Sequence, residues 1–120
     1  PIACGLAWPQ RIASGASKLD FSSLSALSFE EADAVRFPGL HLSWQALNAV
    51  EGTTAVLNAA NEVAVGAFLS GRLRFDHIHA VNLATLDVVS PSKPESLEAL
   101  MALDTQARDA AEHAAGRMAA

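Results

Sequence analysis

Three polar side chains stand on one line of a strongly helical run: Asn58, Asn61 and Glu62 within Leu57 to Leu69. Positions three and four apart are neighbours on a helix surface, so the two amides and the carboxylate share a stripe beside an apolar face of Val56, Leu57, Ala60, Val63, Ala64, Ala67 and Phe68. Such a stripe could hold a metal ion or a sugar phosphate, or it could tie the helix to a neighbour by hydrogen bonds. Asn is a poor helix former, because its side chain competes for local backbone groups, so something outside the helix is expected to satisfy the amides. A divalent metal wants more than one anionic ligand, and polar groups in a protein interior are normally paired. The stripe therefore reads as a structural polar seam rather than a binding site.

The histidines give a weaker signal. Asp76, His77 and His79 suggest zinc, yet on a helix each residue turns about 100°, which sends His77 and His79 to nearly opposite sides. His41 and His113 have no partner nearby in sequence. Ser14-Gly15 and Ser70-Gly71 lack the glycine run and lysine of a phosphate loop. Neither a serine nor Cys4 has the base and orienting group that a nucleophile needs. Trp8, beside Pro9, reads as an anchor at a domain junction rather than a ring that stacks on a ligand. No catalytic, cofactor-binding or metal-binding set is composed by these residues.

The elements that must position these side chains are mostly helical. Ile2 to Trp8 can form a short helix, with Pro1 at its favoured first position and Pro9 opposing continuation. A serine- and glycine-rich loop follows, and then Leu19, Phe21, Leu27 and Phe29 alternate in the manner of short strands. Pro38 can start a helix whose apolar positions are Leu40, Trp44 and Leu47, and Gly52 can close it in a left-handed conformation. Thr53 or Thr54 offers a hydroxyl cap to the Asn-rich helix, and Gly71 marks its end. Asp76 is placed to cap a helix carrying Ile78, Val81, Ala84, Leu86 and Val89, which stops at the turn from Ser90 to Pro94. A last helical region begins near Glu95, with a second cap at Asp104, and ends in an alanine-rich tail. Short connections between about four amphipathic helices favour an up-down bundle.

Composition narrows the function further. Thirteen acidic and eight basic residues give a net charge of −5, with no basic cluster to set against phosphates, which argues against nucleic acid. No run approaches the roughly 18 apolar residues of a membrane helix. A lone cysteine excludes an intrachain disulfide and a cysteine-based zinc site. The apolar share is 51%, much of it alanine, with five Phe and two Trp supplying bulk, which suits close helix packing.

The Asn-rich helix closely resembles the ALNAANEVAVxAFL segment of the 1-deoxy-D-xylulose 5-phosphate reductoisomerase family. Other segments follow in that family's order. Pro1-Ile2-Ala3, Ala7-Trp8-Pro9, Arg11 and Ser14-Gly15 resemble its linker, and Leu19 to Phe29 resembles its LDFxxLSALxF segment. Arg74-Phe75, Asn82-Leu83 and Asp104, Ala107, Arg108 continue the likeness. Cys4 departs from it, standing where members of the family carry His.

The resemblance implies a parent with an upstream NADPH-binding domain, a central catalytic domain holding Mg²⁺ or Mn²⁺ on acidic residues, and a homodimer contact in that central domain. It implies a cytoplasmic bacterial enzyme of non-mevalonate isoprenoid synthesis. With no initiator Met and no signal-like region, the chain reads as a downstream piece of such a polypeptide. The expected fold is mainly α: residues 1–36 form a linker whose short strands belong to the central domain's sheet in the full-length α/β enzyme, and 37–120 form the helical bundle. This piece would bind neither NADPH nor metal and would buttress the upstream domains. A self-standing helical interaction module is the main rival, but it would not need two orphan strands. A small metal enzyme using Glu62 and the histidines is disfavoured by the helix geometry.

Overall fold

In the computed structural model, residues 2–24 and 26–119 are described; Pro1, Ser25 and Ala120, which the sequence reading drew into the first helix, the strand segment and the tail, lie outside them. Among the described residues five helices follow one another: α1 (Ile2–Ala7), α2 (Pro38–Asn48), α3 (Thr53–Leu69), α4 (His77–Val88) and α5 (Leu97–Arg117). The chain divides into two units, Pro1–Glu31 and Ala32–Ala120.

The first unit holds α1, which buries none of its residues, and otherwise irregular backbone. No strand forms among its described residues, so the short strands expected at Leu19–Phe21 and Leu27–Phe29, as additions to a sheet of the full-length enzyme, are not seen here. The cause is local. Asp20 accepts hydrogen bonds at Oδ1 from the Ser22 amide (2.9 Å) and hydroxyl, and its carbonyl accepts from the Ser23 amide (3.2 Å), which turns the chain where a strand would run straight. A strand also needs a neighbour to complete its hydrogen bonds, and this segment has none here.

In the second unit, α3, α4 and α5 pack on one another and α2 lies mainly against α3. The interface is built from alanine. Ala60, Ala64 and Ala67 of α3 share a core with Ala111, Ala114 and Ala115 of α5 and with Val81 of α4. Val56, Ala59, Ala107 and Val89 form a second cluster towards the other end. Side chains this small let the helix backbones approach closely, at the cost of little buried area per residue.

The turns show which sequence signals acted. Gly52 takes the expected left-handed conformation, φ +96°, but at the start of α3 rather than as the close of α2, which ends at Asn48; a Cβ there would stand 2.8 Å from the Ser92 carbonyl oxygen. Gly71, at φ +73°, ends α3: its amide donates to the Phe68 carbonyl (2.9 Å) and the next amide, of Arg72, to Ala67 (2.9 Å). Ser96 caps α5 by accepting from the Ala99 amide at 3.1 Å.

The caps expected at Thr53, Asp76 and Asp104, by contrast, are not made. Thr53 starts α3 but its hydroxyl donates backward to the Val50 carbonyl, and Gly52 occupies the cap position. Asp76 precedes α4 without capping it, because Arg74 holds both its carboxylate oxygens, at 3.0 and 2.9 Å. Asp104 does not interrupt α5; it lies within one continuous helix. The α2 face differs too. Leu42 and Ala46 are buried, whereas Leu40, Trp44 and Leu47 are 50, 59 and 62% exposed.

Candidate functional site

The stripe singled out in the sequence meets partners on both neighbouring helices. Glu62 of α3 accepts from Arg108 of α5, Nη2 to Oε2 at 2.7 Å, and from Asn58 Nδ2 at 3.3 Å. Arg108 also donates to Asp104 one turn earlier, from Nε at 2.7 Å and Nη2 at 3.3 Å. Asn61 accepts from Asn82 Nδ2 of α4 at 3.1 Å. One side of α3 is thus tied to α5 through charge and the adjoining edge to α4 through amides.

The electrostatics follow from these contacts. The Arg108 hydrogen bond, helped by Asn58 and by the guanidinium charge, holds the Glu62 carboxyl below its usual range. Asp104 first and Glu62 second make Arg108 still harder to deprotonate. The ion pair stays open to solvent, Arg108 and Glu62 side chains being 39 and 56% exposed, so each contact is worth little in isolation. Asn82 is different: it is buried, and its Oδ1 receives no hydrogen bond.

As to chemistry, the donor set does not suit a divalent metal. Glu62 and Asp104 are the carboxylates at the seam, and Arg108 stands between them as a resident cation. His77 Nδ1 lies 3.1 Å from the Met118 carbonyl oxygen at the end of α5, whereas His79 lines a cleft with Phe37, Phe75 and Asn82, so the helix does separate the two imidazoles. Among the described residues no three His, Cys, Asp or Glu side chains gather closely enough to hold a metal, and no helix is long and apolar enough to cross a membrane. Trp8 is 77% exposed.

Of the residues that meet here, the sequence singles out those on α3 and not their partners on α4 and α5. In the sequence Arg108 and Asn82 stand only as points of likeness, and Asp104 reads as a helix cap rather than as an ion-pair partner. The available signal was the spacing of Asp104 and Arg108, four residues apart on a helix, which makes a ready ion pair.

The described structure is thus a small helical domain in which polar residues of α3 hydrogen-bond to α4 and α5. Comparison with known proteins makes the assignment specific. Residues 1–110 match the family model of the DXP reductoisomerase C-terminal domain. The chain is 50% identical over 113 residues to the 1-deoxy-D-xylulose 5-phosphate reductoisomerase of Ralstonia nicotianae, covering 94% of this chain and 29% of that protein. It is 46% identical over 111 residues to that of Chlorobium phaeobacteroides, covering 92% and 29% respectively. Among solved structures, the reductoisomerase from Zymomonas mobilis in complex with NADPH is similar at a TM-score of 0.77 and 41% identity, over 93% of this chain and 30% of that one. The chain belongs to the DXP reductoisomerase C-terminal domain family, and it spans somewhat under a third of the length of these relatives.

Proposed function

We propose that this chain serves as the C-terminal helical domain of an NADPH-dependent 1-deoxy-D-xylulose 5-phosphate reductoisomerase, which forms 2-C-methyl-D-erythritol 4-phosphate in non-mevalonate isoprenoid synthesis. The enzyme is an oxidoreductase and isomerase of the bacterial cytoplasm, using Mg²⁺ or Mn²⁺ and acting as a homodimer through its central domain. NADPH and metal are held by upstream domains. This domain buttresses them and contributes no catalytic, cofactor or metal group.

The observation that carries this reading is the employment of the stripe. Both oxygens of Glu62 are engaged by Arg108 and Asn58, and Asn61 is engaged by Asn82, so the most chemistry-like residues of the chain are committed to holding α3, α4 and α5 together. We assign Asn58, Asn61 and Glu62 to a structural seam and Trp8 to an anchor against the preceding domain. The domain boundary is placed between residues 36 and 37. In support, the Asp33 carboxylate accepts from the Val35 and Arg36 amides to make a turn just ahead of Pro38.

The test is an assay of substrate-dependent NADPH oxidation with Mn²⁺, run on the full-length polypeptide and on this chain alone. The full-length protein turns over and the isolated chain stays at background. Turnover by a pure sample of the isolated chain would overturn the assignment.

A further inference from the structure

We propose that α2 is a docking helix whose outer stripe, Leu40, Trp44 and Leu47, seats on an apolar surface of the polypeptide that precedes this domain in the full-length enzyme. The inference rests on the reading of the chain as a C-terminal domain and names the face through which it acts.

The composition of α2 is the first observation. Its 11 residues, PGLHLSWQALN, include no Asp, Glu, Lys or Arg, although only Leu42 and Ala46 are buried. A helix that shows most of its surface to water normally carries charge on that side, as α5 does with Glu98, Asp109, Glu112 and Arg117. The exposed positions of α2 are instead uncharged, with His41, Ser43, Gln45 and Asn48 among them and three large apolar side chains in addition. Leu40, Trp44 and Leu47 recur at steps of four and three, which aligns them on one stripe.

The packing around α2 is the second. Clefts of about 440, 530 and 710 Å³ lie where α2 and the residues just before and after it meet α3 and α4. Asn82 lines the two larger ones with its Oδ1 buried and without a donor. Buried amide oxygens are seldom left so, and a covering surface that brings an N–H or O–H group completes the site.

The occupant follows from chain length. The matched relatives place only 29% of their length in this region, which leaves most of a full-length chain outside it. A surface on the same polypeptide reaches α2 at an effective concentration of roughly millimolar, set by the tether, which a second copy in solution would not match. The lack of charge on α2 calls for an uncharged apolar counterpart.

The experiment places the photocrosslinker p-benzoylphenylalanine at position 44, 47 or, as control, 112 of the full-length protein, followed by irradiation, gel analysis and peptide mapping. Positions 44 and 47 are expected to link to peptides upstream of this domain in a species of monomer mass, with position 112 giving none. A dimer-mass product from 44 and 47 would assign the stripe to a second copy and overturn the proposal. Yields at 44 and 47 no higher than at 112 would leave the stripe in solvent and overturn it as well. Assaying the same preparation for NADPH oxidation separates the two readings: an inactive protein that crosslinks upstream upholds the docking and removes the activity, whereas an active one without crosslinks removes the docking alone.

Discussion

Helices α5 and α2 bury themselves by opposite means. α5 puts Ala107, Ala111, Ala114 and Ala115 inward and charges outward, one of which, Arg108, reaches across to α3. α2 puts Leu42 and Ala46 inward and leaves its largest side chain, Trp44, outside. The contrast teaches that side-chain size does not mark the interior of this domain. Its interior is built on close backbone approach between small residues, and several of its large apolar groups, Trp44 among them, lie exposed.

The sharpest way to break that contrast is to exchange size. Ala111→Leu should destabilise this chain by about 2–3 kcal/mol, because the added atoms enter an interface already in contact. Trp44→Ala should stay within about 0.5 kcal/mol, since it alters an exposed position. Urea unfolding measures both, and equal costs would show that α2 is as well packed as α5.

A second test concerns the joint between α2 and α3. Gly52→Ala must place a Cβ against the Ser92 carbonyl in a left-handed conformation, so it should cost about 1–3 kcal/mol, read as a lower urea midpoint at unchanged slope. A neutral result would mean that the joint yields easily, and that α2 is a loose element instead of a fixed platform.

The α3–α4 edge comes next. Asn61→Leu leaves the buried Asn82 amide without its one acceptor, which should cost about 1–2 kcal/mol by the same measurement.

The smallest effect belongs to the exposed ion pair, and pH reveals it. The Glu62 carboxyl is held below its usual range by Arg108, so its contribution is fully present above the ordinary glutamate range and is lost as pH falls through the depressed value. Glu62→Gln should therefore lower the melting temperature slightly at neutral pH, and the gap to the parent should close in acid. A gap that widens in acid would reverse the assigned sign.

Much of this was legible in the sequence, and the misses have physical causes. The end of α3 at Gly71 could be read because a left-handed residue leaves few alternatives to glycine, whereas Gly52 takes that conformation at the start of α3 and does not close α2, which already ends at Asn48. Caps could not be read as surely: Asp76 has the right type and place, but Arg74, two residues back, competes for it and wins. The strand pattern of Leu19, Phe21, Leu27 and Phe29 is real as a pattern, yet pairing is a property of two segments, and no such pair forms among the described residues. The same reasoning explains Leu40, Trp44 and Leu47, whose periodicity marks an interface without saying whose. Of the seam, the α3 residues stood out because amides in a helix are unfavourable, while Arg108 looked like any surface cation until folding brought it to Glu62.

Whether this domain is a scaffold or a partner in the chemistry turns on Glu62, the one carboxylate of the α3 stripe. The decisive measurement is steady-state kinetics of the full-length enzyme carrying Glu62→Gln, with thermal melting of the same sample. A scaffold role predicts a lowered melting temperature, with kcat, kcat/KM and the Mn²⁺ requirement within a few fold of the parent. Unchanged melting with kcat/KM down by about a hundredfold or more would show a loss of transition-state stabilisation, and would place this helix in the active site.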